Sequence, residues 1–172
     1  MELKSIDKPS YKKHLNLLQF GGVALLLVLA LGLSSLYRSW WGNGESNTGL
    51  NLLAVITAVV VLAALFSLIR QQPWMADIRY TWQLKQELNR IYRHSKVLEK
   101  ALADGDENAF RVHFFSLHGS LHLYRIEDNT LTVPELQEKI AELDETLRQR
   151  QLVVSVADYR PELIDEIKQR YR

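Results

Sequence analysis

The sequence predicts an all-α protein, in which a two-helix transmembrane hairpin precedes a small cytoplasmic antiparallel bundle of three to four helices. Two stretches near the N-terminus, 15–36 and 50–69, contain no Asp, Glu, Lys or Arg. From Arg70 onward charged residues recur every few positions, and the apolar residues between them follow the spacing of amphipathic helices. The chain has no cysteine, which excludes disulfides, thiolate catalysis and Cys-ligated metal sites.

Each uncharged stretch is long enough to cross a bilayer, since a helix needs about 20 apolar residues to span about 30 Å of hydrocarbon. The core helix of a soluble protein is one alternative, but such a helix usually has a polar face and neither stretch has one. A cleaved signal peptide is another, but its apolar region usually has about 7 to 15 residues and the first stretch is longer. We therefore predict a hairpin over 15–72, with spans at 15–36 and 50–69 and an outer loop at 37–49.

Basic residues in the flanks predict the orientation of the hairpin, because the cytoplasmic flanks of membrane helices are enriched in Lys and Arg. The loop over 37–49 contains one basic residue, Arg38. The other two flanks contain six basic residues: Lys4, Lys8, Lys12, Lys13, Arg70 and Arg79. We therefore expect a cytoplasmic N-terminal arm over 1–14 and a cytoplasmic helical domain over 73–172.

Helix signals divide the domain over 73–172 into four helices. We predict a long helix over 76–103, a second over 107–127, a third over 134–150 and a last helix opened by Pro161, with a short extended segment near 153–156. Gly105 suits the end of the long helix, because glycine readily adopts the left-handed conformation found there. Asp106 suits the N-cap of the second helix, because its carboxylate accepts hydrogen bonds from free N–H groups.

A heptad seam runs along the long helix predicted over 76–103. Its positions alternate spacings of four and three residues, and all but one are apolar: Leu84, Leu88, Ile91, Ser95, Leu98 and Leu102. Such a seam packs either inside the bundle or against another molecule as a coiled coil. Packing inside the bundle is favoured, because about three heptads are marginal alone. The seam is still the first surface to test for a protein interaction.

A polar stripe lies between two apolar faces of the helix over 107–127, and it consists of Arg111, His118, His122 and Arg125. The two histidines are four residues apart and can reach one metal ion, but the arginines repel a cation and the zinc-protease motif is absent. A second interpretation pairs the stripe with acids on the next helix, such as Glu138, Glu142 or Glu145. A third is an anion or partner site for a lipid phosphate or an acidic protein.

Composition and motifs argue against several classes of function. A net charge of +1 does not favour nucleic acid as a partner. Gly-x-Ser-x-Gly motifs, phosphate-binding glycine loops and ionisable residues inside the spans are all absent, which argues against the enzymes and transporters that use them. We therefore predict no catalytic residue, no cofactor and no metal ligand.

The expected function is that of a membrane-anchored interaction or scaffold protein, or an accessory subunit. Its expected partners are membrane lipids and either another protein or a second copy of the chain. The alternative is a metal- or lipid-dependent membrane enzyme or sensor that uses the polar stripe. A third class, an oligomeric channel or transporter accessory, is less favoured because two helices enclose no pore unless they oligomerise.

Three groups of residues resemble one bacterial family: Ile6-Asp7-Lys8 with Tyr11 and His14-Leu15-Asn16, Ala103-Asp104-Gly105-Asp106 with Ala109, and Asp128-Asn129-Thr130-Leu131-Thr132. Through them the chain resembles, over nearly its whole length, domain of unknown function 3087 of the gammaproteobacteria. The resemblance implies a bacterial inner-membrane protein with two spans. It implies no activity and no catalytic residue, because the shared residues are mostly turn and capping residues.

Overall fold

The protein is all-α, as predicted, in a computed structural model that describes residues 2–42, 44 and 46–171. Those residues form seven α-helices and no strand. In chain order the helices are α1 (Lys8–Trp41), α2 (Thr48–Ile69), α3 (Ala76–Arg93), α4 (Ser95–Ala103), α5 (Glu107–Glu127), α6 (Val133–Gln149) and α7 (Glu162–Tyr171). Two 3-10 turns, Pro73–Met75 and Val156–Asp158, precede α3 and α7.

Helices α1 and α2 form a hairpin in the compact unit that spans residues 7–79. Both are long and apolar enough, by length and composition, to cross a membrane. Large apolar side chains on both helices are exposed, among them Phe20, Val28 and Leu31 of α1 and Val60 and Leu68 of α2. Exposed apolar area of this extent is unfavourable in water and favourable in lipid, which is consistent with a membrane hairpin.

The two hairpin helices are joined in the half next to their loop. Ala54 of α2 is fully buried, as is Ala58 one turn later, because small side chains let two helix backbones approach closely. Tyr37 Oη donates a hydrogen bond to Thr57 Oγ1 at 3.2 Å. This hydrogen bond connects the two helices next to their loop.

Residues 2–6 and 80–171 form the second compact unit, called here the helical unit. Its larger apolar cluster joins α3, α4, α5 and α7 and includes Leu84, Phe115 and Leu163. A smaller cluster joins α5 to α6 through Phe110 and Leu143, among others. Because α5 contributes to both clusters, it is the central helix of the unit.

The segment before α1 packs on the helical unit. Leu3 and Ile6 lie against the larger apolar cluster, and the backbone N–H of Lys4 donates to Tyr80 Oη at 2.9 Å. In the sequence, the boundaries between the two compact units therefore lie after residues 6 and 79. The sequence-based limits of 14 and 72 concern where the membrane begins and ends, and they stay predictions.

The prediction of one continuous helix over 76–103 is wrong, because the chain breaks at His94 between α3 and α4. The His94 N–H bonds to Ile91 O, three residues back, at 2.9 Å. Its Nδ1 lies 2.8 Å from Arg90 O, the carbonyl that an uninterrupted helix would pair with the His94 N–H. The side chain thus satisfies the backbone group that the break sets free, and the heptad seam is divided between two helices.

The turn between α4 and α5 has the predicted chemistry. Gly105 adopts a φ of +80°, in the left-handed region that favours glycine. The Asp106 carboxylate accepts the N–H of Asn108 at 2.8 Å and so caps α5. Asp106 also forms an ion pair with Arg170, which connects the start of α5 to α7.

Candidate interaction groove in the helical unit

The heptad seam is divided between the core of the helical unit and an open groove on its surface. Leu84, Ile91 and Leu98 are buried in the larger cluster, whereas Leu88 and Leu102 are only half-buried. All seam residues except Leu84 line the groove, which has a volume of about 680 Å³. The predicted packing of the seam inside the bundle therefore holds for only some of its residues, and the others are partly exposed in the groove.

Helices α3 and α4 form one side of this interhelical groove, and α5 forms the other. Its apolar floor consists of Leu88, Ile91, Leu98, Leu102, Leu117 and Leu123. The lining residues Asn89, Tyr92 and Glu99 add polar groups along the α3–α4 side. From Leu88 to Leu102 the groove extends at most about 21 Å, at about 1.5 Å per helical residue. That length accommodates about four turns of another helix.

Serine hydroxyl groups on both sides of the groove have no hydrogen-bond partner among the described residues. Ser116 and Ser120 of α5, and Ser95 of α4, line the groove and form no hydrogen bond among the residues that the structure describes. His113 and Tyr124 lie on the same side of α5, at spacings of three and four residues from the serines. Sequence reasoning missed this face, although the regular spacing of its small polar residues was visible.

The groove has little net charge. Lys139 of α6 lines it and forms a salt bridge with Glu135 at 2.6 Å. Burial and the positive charge of Lys139 lower the pKa of His113, so its ring is neutral near pH 7. Leu102, His113 and Lys139 also line a neighbouring depression of about 370 Å³, so the concave surface continues across α5 towards α6. A surface of this kind is suited to bind an apolar helix face and to exchange hydrogen bonds at its edge.

The polar stripe predicted on α5 lies on the opposite side of that helix from the groove, at about 100° per residue. Arg111 binds Asn108 at 2.7 Å and Glu107 at 3.1 Å, both on α5 itself, rather than Glu138, Glu142 or Glu145 of α6. Arg125 is exposed. Arg111 thus pairs with an acid of its own helix, and no acidic residue among those that the structure describes joins the two arginines.

The two histidines of the stripe have different surroundings. His118 Nδ1 lies 3.1 Å from Phe114 O, and its ring stacks on that of Phe114 with 4.0 Å between centroids. His122 lies edge-on to Tyr80 at 6.3 Å, and its buried Nε2 has no hydrogen-bond partner among the described residues. In the same part of the chain, no group of three or more His, Cys, Asp or Glu residues is placed to hold a metal ion.

Acidification below about pH 6.5 is expected to destabilise the helical unit, because two of its histidines resist protonation. Burial lowers the pKa of His113 and of His122 below the ordinary value of 6.5. The charge of Lys139 acts in the same direction at His113, whereas at His122 a backbone hydrogen bond with Lys4 partly opposes the effect of burial and Arg125 adds to it. Between the folded-state pKa and 6.5 the unfolded chain therefore binds more protons than the folded chain. The free energy of unfolding falls as the pH falls through that interval, and it is unaffected by these groups above it.

Thermal melting at pH 5 and pH 7, followed by circular dichroism, measures this effect. The wild-type chain is expected to melt at a lower temperature at pH 5. The double variant His113→Gln, His122→Gln is expected to show a smaller difference between the two pH values, because it lacks the groups that bind the additional protons. An equal difference in both proteins would assign the pH dependence to other residues.

Comparison with models of protein families gives one match, to the family described as "Protein of unknown function (DUF3087)", over residues 1–164. The match includes both hairpin helices and every residue that lines the interhelical groove. Neither the curated proteins nor the solved structures give a match. The resemblance inferred from the capping and turn residues is thereby confirmed, and the chain belongs to the DUF3087 family of proteins of unknown function.

Proposed function

We propose that this protein is a membrane-anchored interaction protein without enzymatic activity, which presents the helical unit at the inner face of a bacterial membrane. The hairpin is the anchor, and the interhelical groove is the surface that binds a protein partner. The observation that carries the proposal is the combination, in one groove, of an apolar floor with serine hydroxyl groups that bond to no other described residue. Grooves of this kind bind amphipathic helices, whose apolar face enters the groove.

The charges support both the orientation and the chemistry of the partner. Lys and Arg are concentrated outside the loop of the hairpin, which favours a cytoplasmic helical unit. Glu99 and Lys139 place one charge of each sign beside the groove, and a neutral His113 adds none. The partner segment is therefore a mainly uncharged amphipathic helix that offers backbone or side-chain groups to the serines.

Substitution of Ser120 by Trp tests the groove, because the large ring occupies the space between α5 and the α3–α4 side. Affinity purification from native membranes with mass spectrometry identifies the proteins that accompany the wild-type chain. Ser120→Trp is expected to reduce the recovery of the partner at least about 10-fold, equivalent to about 1.4 kcal/mol. Ala157→Trp, at an exposed position in a 3-10 turn away from the groove, is the matched control and is expected to recover the partner normally.

Cross-linking gives an independent measurement, because the natural chain has no cysteine and a single introduced thiol is unique. Ser116→Cys is expected to cross-link to the same partner through a short thiol-reactive reagent, whereas Ala157→Cys is not. The proposal fails if a folded Ser120→Trp variant recovers every wild-type partner, or if the two cysteine variants cross-link equally.

A further inference from the structure

A second apolar groove lies within the hairpin unit, between α1 and α2. Its volume is about 570 Å³, and Gln19 is its most polar lining residue. Gly21 and Gly22 make room for it on α1, since a Cβ added at Gly22 would meet no other atom within 4 Å. The helices are joined by a hydrogen bond near their loop, and this groove lies between them towards the other end of the hairpin.

The hairpin groove extends over only half of a membrane span. Its lining residues run from Leu17 to Leu26 on α1 and from Leu62 to Ile69 on α2. These distances are about 14 Å and about 10 Å at 1.5 Å per residue. Half of the hydrocarbon core is about 15 Å thick. The groove therefore matches a lipid chain of one leaflet, whereas a membrane helix of a second copy would need a groove along the whole span.

The end of the groove away from the loop is aromatic and basic. Trp74 lines the groove there, and its ring lies 5.5 Å from the ring of His14. Lys13 precedes that histidine, Arg70 directly follows Ile69, and both basic side chains are exposed. Across residues 7–14 and 70–79, five Lys and Arg residues outnumber two Asp residues. This positive charge complements the phosphate of an anionic headgroup.

We propose that the hairpin groove binds one acyl chain of an anionic phospholipid from the cytoplasmic leaflet, with the lipid phosphate beside Lys13 and Arg70. The inference rests on the proposed function, which places the hairpin in the membrane with this end in the cytoplasm. One lipid molecule is then a specific ligand of the hairpin, in addition to the lipids of the bilayer that surround it. The cytoplasmic flank holds the headgroup, and the space at Gly22 admits the chain.

Native mass spectrometry of the full chain in detergent counts the lipids that stay bound. The probes are dioleoyl phosphatidylglycerol and dioleoyl phosphatidylethanolamine, which have the same acyl chains and differ in headgroup charge. The wild-type chain is expected to retain one phosphatidylglycerol per chain and to bind it about 10-fold more tightly than phosphatidylethanolamine. The double variant Lys13→Gln, Arg70→Gln is expected to lose most of this preference.

Gly22→Leu tests the acyl-chain site, because the leucine side chain fills the groove. Its Cβ fits without a clash, since no other atom lies within 4 Å of that position. Its matched control is Gly32→Leu, the same substitution in the same helix, at a site that is equally open but does not line the groove. Gly22→Leu is expected to bind phosphatidylglycerol at least about 10-fold more weakly than wild type, and Gly32→Leu is expected to bind it normally.

Three results would overturn the lipid site. In the first, Gly22→Leu and Gly32→Leu retain phosphatidylglycerol equally. In the second, the wild-type chain binds the two lipids equally. In the third, the wild-type chain forms a dimer without bound lipid, and Gly22→Leu dissociates that dimer whereas Gly32→Leu does not. Membrane fractionation separates these results from a failure of the proposed function. A wild-type chain that sediments with membranes but shows any of the three lacks the lipid site, whereas a chain that stays soluble lacks the anchor.

Discussion

Two arginines in the middle of the hairpin are expected to remove most of the protein from the membrane fraction. Val28 of α1 and Val60 of α2 are 69% and 62% exposed, and each lies near the middle of a predicted span. An arginine at the centre of a span makes the free energy of membrane insertion less favourable by about 2.5 to 3.5 kcal/mol. For the variant Val28→Arg, Val60→Arg the two arginines together cost about 5 to 7 kcal/mol. Carbonate extraction followed by ultracentrifugation measures the fraction of the protein that remains with the membranes.

The same two charges at the edge of the hairpin provide the matched control. Gln71 and Gln72 are exposed and directly follow Arg70, so arginines there extend the basic flank instead of entering the hydrocarbon. The variant Gln71→Arg, Gln72→Arg is expected to sediment with membranes as the wild type does. If the variant with central arginines sediments equally well, the hairpin does not lie in hydrocarbon. The anchor and the lipid site then fail together, and the groove in the helical unit stands alone.

The parts of the fold that depend on local chemistry were predictable from the sequence. The range predicted for α5, 107–127, is the range observed, because its start is determined by neighbouring residues. Gly105 supplies the left-handed turn and Asp106 supplies the cap, and both act through their own backbone and side-chain atoms. The two apolar helices were predictable for a similar reason, since the absence of charge over 15–36 and 50–69 needs no knowledge of tertiary contacts.

The break at His94 was not predictable from periodicity, because the heptad spacing continues unchanged across it. Leu88 and Ile91 precede the break and Leu98 and Leu102 follow it, at the spacings that a continuous helix would have. The break is accompanied by a hydrogen bond between the His94 ring and a backbone carbonyl, which no pattern of apolar residues reports. The groove escaped prediction for a related reason: it is a space between helices, and its size depends on how α3 and α4 pack on α5.

The polar stripe shows the limit of reasoning from a helical wheel. A wheel places His118 and His122 on one face, and the structure places them one turn apart on α5 as expected. The environment of each ring is set by its neighbours, since one stacks on Phe114 and the other lies beside Tyr80. Proximity along a helix therefore did not determine the surroundings of either ring.

Tyr159 is a core residue that the pattern of apolar residues did not identify. It follows the 3-10 turn Val156–Asp158, in a segment without helical or strand periodicity. The structure buries it completely and stacks its ring on Phe115, with 3.9 Å between centroids and 9° between ring planes. Its Oη donates a hydrogen bond to Glu87 of α3, and burial, followed by this interaction, raises the pKa of the phenol well above its ordinary value. Tyr159 thereby connects the segment before α7 to both α3 and α5.

Tyr159→Ala is consequently expected to lower the free energy of unfolding of the helical unit by about 3 to 5 kcal/mol, the range for removing a large aromatic ring from a core. Tyr159→Phe keeps the stacked ring and loses only the hydrogen bond to Glu87, so its expected cost is about 1.5 kcal/mol. Pulse proteolysis of the detergent-solubilised chain across a urea series measures both values, because it reports the fraction of unfolded helical unit directly.

The same substitution at an exposed tyrosine is the control. It removes an aromatic ring of the same size without removing packing from the core. Tyr92 is 77% exposed, and Tyr92→Ala is expected to change the free energy of unfolding by less than about 0.5 kcal/mol. Equal urea midpoints for Tyr92→Ala and Tyr159→Ala would contradict the burial of Tyr159 and its stacking on Phe115. A Tyr159→Phe variant as unstable as Tyr159→Ala would instead assign most of the stability to the Glu87 hydrogen bond. The free energy of unfolding is expected to rise in the order Tyr159→Ala, Tyr159→Phe, wild type. Packing of the ring contributes more than its single hydrogen bond to Glu87, whose side chain is 18% exposed.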